Sequence, residues 1–88
     1  MMSVPAFYVY ILECIDKKGK VSYYTGSTKN LHKRIDEHIK GKGARYTKGK
    51  KVNLVFYESY LSNSDARKRE IEIKSLTTEN KKKLFSNQ

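Results

Sequence analysis

Two short runs of aromatic and β-branched residues, joined by a tight polar turn, constrain the fold of this chain more than any other feature. The first run is Ala6 to Glu13 (AFYVYILE), and the second is Val21 to Thr25 (VSYYT). Residues of these types favour strands, and the segment between them, Asp16 to Gly19 (DKKG), has the composition of a turn. We therefore predict that the chain opens with a β-hairpin.

The remaining pattern predicts two helices and a third strand. Ser27, Thr28 and Asn30 are possible N-caps of a helix that reaches about Ile39, and Gly41 ends it. A strand follows at Val52 to Tyr60, Ser62 to Asp65 cap a helix to about Leu76, and the tail from Thr77 has room for a short helical turn. We expect one α+β domain over residues 1–88, a small three-stranded, mostly antiparallel β-sheet flanked by helices in the order β-β-α-β-α.

The size of the chain limits the kinds of site that it can hold. At 88 residues and 38% hydrophobic content it fills one thin core, so an active site should lie on an open face. The longest apolar run, Phe7 to Leu12, is far shorter than the roughly 20 residues of a membrane span, and nothing at the N-terminus resembles a signal sequence. We expect a soluble, cytoplasmic protein without a membrane partner, in which the lone Cys14 serves packing.

The positive charge is concentrated in the middle of the chain. Nineteen Lys and Arg against nine Asp and Glu give a net charge of +10, and residues 29–53 carry nine basic and two acidic side chains, or +7. Within them, Lys40 to Lys51 (KGKGARYTKGKK) has six cations, three glycines and no acid, which favours a flexible, solvated loop. A loop that only aids solubility is the simpler interpretation, but charge of one sign costs self-repulsion, so we favour nucleic acid as the partner.

Tyrosine is used more often than a plain core requires. The chain has seven tyrosines, and four of them, Tyr8, Tyr10, Tyr23 and Tyr24, lie in the predicted hairpin. Strands favour aromatic residues, but a buried phenol needs a hydrogen-bond partner that phenylalanine would not. Alternation places Tyr8 and Tyr10 on one face and Tyr23 and Tyr24 on opposite faces, so one of the latter pair can converge with Tyr10.

Four further residues are open to either a structural or a functional interpretation. Arg34 and His38 share one side of the first helix, where Arg34 could pair with Glu37, and His38 could carry a proton or only favour the helix dipole. On a helical wheel Glu70 falls in the apolar stripe, where a carboxylate is either ion-paired or kept to bind a cation or move a proton. Gly26 allows a positive φ or the close approach of a ligand, or it serves a sharp turn.

The order of these residues resembles the GIY-YIG nuclease family over essentially the whole chain. The resemblance lies in Val9-Tyr10-Ile11, Tyr24-Thr25-Gly26, Asn30-Leu-His-Lys-Arg34 and Glu70. It is closest to the small stand-alone bacterial members, in which an opening like YVYIL, a YTGST-like turn, an RIxxH helix, a GAxYT loop and an REIxIK helix occur in this order. These members are related to the N-terminal catalytic domain of a DNA-repair excinuclease. The first triplet reads VYI where the family name has GIY, and the second reads YTG.

The resemblance implies roles for individual residues. Tyr10 and Tyr24 match the two signature tyrosines, Gly26 the signature glycine, Arg34 the catalytic arginine and Glu70 the metal-binding glutamate. His38 and Tyr46 match positions with accessory contacts, so the catalytic set is Tyr10, Tyr24, Arg34, His38 and Glu70. We expect nucleic-acid contacts from the neighbouring residues Gly26, Lys33, Lys40, Lys42, Arg45, Tyr46, Lys48, Lys50 and Lys51.

The implied activity is that of a metal-dependent endonuclease, a phosphodiester hydrolase acting on DNA. Glu70 would bind one Mg²⁺ or Mn²⁺ that keeps most of its water. Tyr10 would activate the attacking water with help from Tyr24 or His38, provided that Arg34 or the metal lowers its pKa, and Arg34 would stabilise phosphate oxygens.

The kind of DNA substrate is predicted from the lack of a recognisable base-reading element. Nothing in it is equipped to read bases in a groove, which favours branched, nicked or single-stranded DNA and a role in repair or recombination. The alternative is a non-catalytic nucleic-acid-binding module that keeps the fold and the basic loop. RNA is not excluded as its partner, since Tyr8 or Tyr46 could stack on bases.

Overall fold

The computed structural model describes residues 6–86, and within them three strands and three helices follow in the order β-β-α-β-α-α. Both strand pairings are antiparallel and the strand order is β2-β1-β3, which confirms the predicted α+β class. Of the predicted domain 1–88, residues 1–5 and 87–88 lie outside the described part. The elements are β1 (Phe7–Ile15), β2 (Val21–Thr28), α1 (Leu31–Ile39), β3 (Lys51–Tyr60), α2 (Asn63–Lys74) and α3 (Thr78–Phe85).

The predicted hairpin is formed by β1 and β2, and its turn is closed by a single aspartate. The Asp16 carboxylate accepts hydrogen bonds from the backbone N–H groups of Lys18 at 2.8 Å and Lys20 at 2.9 Å. Gly19 takes the positive φ of 84° that this turn requires. Strand β2 continues to Thr28, three residues past the predicted end, because its last residues go on pairing with β1.

The sheet buries apolar side chains on both faces. On one face Val9 and Ile11 pack with Ala66 and Ile73 of α2. On the other, the alternate β1 residues Tyr10, Leu12 and Cys14 pack with Leu31 and Ile35 of α1. The two-residue period of β1 thus separates an α1 side from an α2 side, and Cys14 is buried there as the sequence predicts.

A bulge changes which face the β3 side chains meet. The β1–β3 register shifts between Ile11 and Leu12, so that Tyr57 lies opposite Tyr10 and Leu54 lies opposite Leu12. Two residues three positions apart on a regular strand point to opposite faces, but the extra residue in the bulge brings Tyr57 and Leu54 to the same side. Both therefore face α1.

Side-chain caps begin all three helices. Asn30, one of the three predicted candidates, accepts the Lys33 N–H at 3.1 Å and begins α1. Ser62 caps α2 in the same way, and α2 ends at Lys74, slightly before the predicted Leu76. The tail forms more than the predicted short turn, because Thr77 caps the eight-residue helix α3.

The prediction of a wholly solvated basic loop is wrong for its centre. Residues 45–49 form a turn, and Thr47 within it is fully buried. The loop folds back because His38, at the end of α1, offers a hydrogen-bond partner that a solvated loop would leave unused. No helix in residues 6–86 is long and apolar enough to cross a membrane.

Candidate active site

Three buried side chains form a chain of hydrogen bonds under α1. The Tyr10 hydroxyl lies 2.8 Å from Nε2 of His38, and Nδ1 of His38 lies 2.8 Å from Oγ1 of Thr47. Thr47 Oγ1 in turn donates to the backbone carbonyl of Ala44 at 3.1 Å. All three side chains are at most 1% exposed. The strand β1, the helix α1 and the basic loop each supply one member.

The last bond of this chain sets the direction of the others. A carbonyl oxygen can only accept, so the Thr47 hydroxyl donates its one hydrogen bond to Ala44. It must therefore accept the hydrogen bond from Nδ1–H of His38. The other ring nitrogen, Nε2, then carries a lone pair and accepts from the hydroxyl of Tyr10. His38 is thereby assigned as the acceptor of the Tyr10 proton.

The electrostatic surroundings keep both groups neutral. Burial, together with the nearby Arg34 charge, lowers the pKa of His38, so its ring is neutral at neutral pH and Nε2 accepts the hydrogen bond from Tyr10. Burial and the neighbouring Tyr24 raise the pKa of Tyr10 above its ordinary value. Arg34 acts in the predicted, lowering direction, but burial outweighs it. The expectation that Arg34 would bring down the Tyr10 pKa is therefore wrong for the net shift.

Two glycines leave space for the side chains of the Tyr10–His38–Thr47 hydrogen-bond chain. A Cβ atom on Gly26 would lie 2.5 Å from the Tyr10 hydroxyl, and one on Gly43 would lie 2.5 Å from Nδ1 of His38. Gly26 pairs with Tyr10 in the middle of β2 and has no positive φ, so the predicted turn or left-handed role is wrong. What needs glycine at position 26 is the close approach of the tyrosine side chain.

Further aromatic rings surround the histidine. The Tyr24 ring lies 5.3 Å from that of His38 and 6.4 Å from that of Tyr10, which confirms that one of the paired tyrosines converges with Tyr10. Tyr46 of the basic loop stacks on Tyr24 at 5.8 Å, and the Lys50 ammonium lies 3.6 Å from the centre of the Tyr46 ring. These outer residues shield the tyrosine–histidine pair on the loop side.

Glu70 lies on α2, facing the edge strand β2. Its carboxylate accepts a 2.7 Å hydrogen bond from Ser27 and pairs with Lys74 at 2.8 Å and with Arg67 at 3.7 Å. Burial raises its pKa, but the bonds from Lys74 and Ser27 outweigh burial, and the net pKa is lowered. The ion-paired interpretation of Glu70 therefore agrees with the structure, and the carboxylate is ionised. Its negative charge is one of the smaller causes that raise the pKa of Tyr10.

The residues at Glu70 fit a hydrated divalent cation held by one carboxylate. Within residues 6–86 no three His, Cys, Asp or Glu side chains gather into a metal-binding group. Mg²⁺ retains much of its water in proteins and binds through one or two carboxylates, so an ionised Glu70 suits it. Lys74 and Arg67 occupy the carboxylate, but their side chains are 54% and 63% exposed and have open solvent into which they can move.

Arg34 lies on the flank of α1 in a shallow cleft. Its guanidinium pairs with Glu37 at 3.2 Å, and both side chains are 40% exposed. The cleft is lined by Lys29, Asn30 and Lys33 as well. Arg34 is thus paired as the simpler interpretation expects, and it also remains accessible to a phosphate from solvent.

The predicted nucleic-acid contacts lie mostly at the surface. Lys33, Lys42, Arg45, Lys48 and Lys51 are exposed. Lys40 pairs with Asp36 at 2.8 Å, Lys50 covers Tyr46, and Gly26 is buried against Tyr10, where no phosphate reaches it. For the surface cations a role in binding stays a prediction.

Three residues of the site have no role predicted from the sequence. Gly43 and Thr47 lie in the segment that matches the GAxYT loop, and Ser27 lies in the one that matches the YTGST turn, but the match does not say what these residues contact. The partner of Thr47 and Gly43 is on α1, and spacing along the chain does not identify it. The position of Ser27 could have indicated its role, because it directly follows the signature glycine near the end of the same strand.

Known proteins are similar to this chain in sequence and in fold. A family model described as the GIY-YIG catalytic domain matches residues 6–83. A UPF0213 protein of Clostridium perfringens is 48% identical over 80 residues, which cover 90% of this chain and 82% of that protein. One from Haloquadratum walsbyi is 47% identical over 78 residues, covering 88% and 83%. The solution NMR structure of a UPF0213 protein from Bacillus halodurans has 38% identity and a TM-score of 0.55, and covers 94% of this chain and 85% of that one.

Proposed function

Because the chain belongs to the GIY-YIG family, we propose that it is an endonuclease that hydrolyses phosphodiester bonds in DNA with the help of Mg²⁺ or Mn²⁺. The observation that carries this proposal is the hydrogen-bond chain from Tyr10 through His38 to Thr47. A purely structural tyrosine would be served by any acceptor. Here the acceptor is a neutral imidazole whose protonation state is fixed by a further residue.

The proton of the attacking water leaves along this chain. Water gives its proton to Tyr10 Oη while Tyr10 gives its own to Nε2 of His38, and the resulting hydroxide attacks phosphorus as the bond to the leaving oxygen breaks. The leaving oxygen keeps the electron pair of that bond and takes a proton from solvent. Tyr10 need not ionise beforehand, which matters because its pKa is raised. Between Tyr24 and His38, the two assistants that the sequence left open, the 2.8 Å bond favours His38.

Arg34 stabilises the charge that grows on the phosphate. Its planar guanidinium can leave Glu37 and donate two hydrogen bonds to non-bridging oxygens, a geometry that lysine does not offer. Lys29 and Lys33 line the same cleft and add positive potential. The cleft therefore binds a phosphate more tightly as its charge increases, which is what lowers the barrier.

Glu70 is the residue that would hold the divalent cation, with Ser27 keeping the carboxylate oriented at the end of β2. The cation, when bound, supplies Lewis-acid stabilisation of the phosphate and of the leaving oxygen. The lowered pKa of Glu70 keeps its carboxylate charged and ready to bind at neutral pH.

The substrate proposed is branched, nicked or single-stranded DNA, in repair or recombination and in the cytoplasm. The basic loop would hold phosphates that flank the cleavage site, and its charge supports binding without choosing a sequence.

A cleavage screen tests the proposal directly. Purified protein is incubated with duplex, flap, branched and single-stranded DNA in Mg²⁺ or Mn²⁺, and at least one substrate should be cut. We expect Tyr10→Phe and Glu70→Gln to slow cleavage by about 100-fold or more, since each removes a group that acts in the transition state. Tyr23→Phe, on the opposite sheet face, and Glu72→Gln, exposed on α2, are the matched controls. Equal cleavage by all four variants would refute the mechanism.

A non-catalytic nucleic-acid-binding module is the second candidate, and one observation favours it. Glu70 is already neutralised by Lys74 and Arg67, as in an ordinary structural ion pair. In that case the protein should bind DNA or RNA with strong salt dependence and cut neither in any metal. The same screen, with binding measured beside cleavage, separates the two functions.

A further inference from the structure

A second depression lies on the opposite flank of α1 from Arg34. This open depression has a volume of about 480 Å³ and lies between α1 and the strands β1 and β3. Tyr8, Tyr57 and Leu54 line the sheet side, and Leu31, Ile35 and His32 line the helix side. We call this depression the tyrosine groove.

The groove displays aromatic surface that folding leaves in water. Tyr57 is 55% exposed and Leu54 is 37% exposed, although both project from the sheet toward α1. The rings of Tyr8 and Tyr57 meet edge to face at 6.2 Å and 61°, so together they form a corner with two apolar walls. The bulge in the β1–β3 pairing is the reason that Tyr57 and Leu54 share this side. A regular strand would have turned one of them away.

The groove adjoins the proposed active site. Tyr57 lies directly opposite Tyr10 in the strand register, so the groove lies one strand away from the buried tyrosine–histidine pair. Lys29 and Asn30 line both the groove and the cleft that contains Arg34. Lys29 also lines a third depression, with Ser27 and Arg67, on the Glu70 side. All three depressions meet at the junction of β2 and α1.

These features select the chemistry of the occupant. Two tyrosine faces bind a flat, polarisable ring, and the cations beside them bind an anion attached to that ring. A nucleotide with an exposed base has both parts. A paired base does not fit, because its faces are covered by its neighbours in the duplex and exposing them costs a few kcal/mol.

We propose that the tyrosine groove binds one unpaired base of the DNA strand, next to the phosphate held at Arg34. The proposal rests on the proposed function, since the adjoining cleft is taken to hold the scissile phosphate. It narrows the substrate to DNA that has an unpaired nucleotide at the cleavage site. Fully paired duplex lacks the base that fills the groove.

Binding measured without cleavage tests the groove independently of turnover. Affinity for a short labelled single strand is determined by fluorescence anisotropy in EDTA. Stacking on one aromatic side chain predicts that Tyr57→Ala weakens binding by between about 5-fold and about 150-fold. Tyr57→Phe, which keeps the ring, should bind as tightly as the parent. Leu61→Ala and Ile71→Ala remove apolar side chains that are 77% and 64% exposed outside the groove, and should change nothing.

An abasic nucleotide identifies the occupant as a base. A DNA duplex with one unpaired nucleotide fixes the position of the bound strand, and replacing that nucleotide by an abasic one should weaken parent binding, while Tyr57→Ala should add no further loss to the abasic DNA. Unchanged affinity of Tyr57→Ala, an equal loss for fully paired duplex, or a Tyr57-dependent dimer in sedimentation would each overturn the proposal.

The outcomes separate the groove from the activity. Parent protein that shows the Tyr57 and abasic effects but cuts no DNA in Mg²⁺ or Mn²⁺ refutes the nuclease and retains the base subsite. Parent protein that cuts DNA, with Tyr57→Ala cutting and binding equally well, refutes the subsite alone.

Discussion

His38 is held by hydrogen bonds on both ring nitrogens, and this gives it a role that an exposed histidine at a helix end would not have. Thr47 accepts a hydrogen bond from Nδ1–H, so the proton stays on Nδ1 and Nε2 accepts from the hydroxyl of Tyr10. Burial keeps the ring neutral, and a neutral ring is the form that can receive a proton. The pairing therefore converts a phenol with a raised pKa into a group that can pass a proton on.

Replacing Thr47 by valine removes the fixed protonation state of His38 while preserving most of the side-chain volume. The buried Nδ1–H then lacks an acceptor, which costs about 1–3 kcal/mol of unfolding free energy. We expect slower cleavage and a shifted pH profile, both measured on folded protein at low temperature. Thr47→Ser keeps the hydroxyl and should restore the profile. A pH profile that does not move with Thr47→Val would limit Thr47 to packing.

The buried His38 also makes stability depend on pH. Its pKa lies below 6.5 in the folded protein, so in the interval beneath 6.5 the unfolded chain binds the proton and the folded chain does not. The contribution of His38 to the free energy of unfolding is complete above pH 6.5 and is lost as the pH falls. The total loss is about 1.4 kcal/mol for each unit by which folding lowers the pKa of His38. Urea unfolding between pH 5 and 8 measures it. His38→Gln should flatten the slope in that interval, and an unchanged slope would assign it to other groups.

The residues that the family pattern marks were found from the sequence, and those that support them were not. Tyr10 and Arg34 fall at motif positions, whereas the partner that orients His38 is a threonine in a glycine-rich loop. A threonine has no sequence signature for burial. Its role appears only once the loop has folded back onto α1, which is a tertiary event that spacing does not encode.

At the scale of elements, β2 brings the two halves of the site together at one strand edge. Gly26 lies against Tyr10 on the α1 side, and the next residue, Ser27, holds Glu70 of α2 on the other side. Successive residues of a strand point to opposite faces, so one dipeptide reaches both helices. This explains why β2 must stay paired with β1 through Thr28 rather than end at the glycine.

A methyl group at position 26 should disturb this arrangement. Because the added Cβ would lie 2.5 Å from the Tyr10 hydroxyl and 2.7 Å from the ring carbon that bears it, the ring must move. We expect Gly26→Ala to cost about 1–3 kcal/mol of unfolding free energy and to abolish most of the cleavage. In a Tyr10→Phe background the destabilisation should be smaller, since the closest contact is gone. Equal costs in the two backgrounds would contradict a clash with the hydroxyl.

Local sequence signals predicted the elements well, and long-range pairing decided the rest. Asp16 and Gly19 mark the hairpin turn, and Asn30 and Ser62 begin their helices, because each acts on its own backbone neighbours. The bulge beside Leu12 was not predicted, since it depends on how β3 meets β1. That bulge places Tyr57 and Leu54 together in the tyrosine groove. The substrate proposed here therefore depends on a long-range strand pairing that local sequence does not predict.

For the whole molecule, the charge distribution follows the site. Most of the net charge of +10 belongs to residues 29–53, which form α1, the basic loop and the start of β3 around the tyrosine–histidine pair. The α2 side carries Glu58, Glu70 and Glu72, which are paired with arginines or lysines there. Residues 54–88, which include α2 and α3, carry seven basic and five acidic side chains, so the larger share of the positive charge lies on the α1 side of the sheet.

The position of the charge, rather than its amount, should control DNA binding. Arg45→Gln with Lys48→Gln removes two exposed cations from the basic loop, and Lys17→Gln with Lys18→Gln removes two from the β1–β2 turn. Each phosphate contact contributes about 0.7 to the slope of log affinity against log salt for single strands. The loop variant should thus lower the slope by about 1.4, while the turn variant, with the same net charge, leaves it near that of the parent. If both variants lower it equally, binding responds to net charge alone, and the basic loop is not the surface that holds the flanking phosphates.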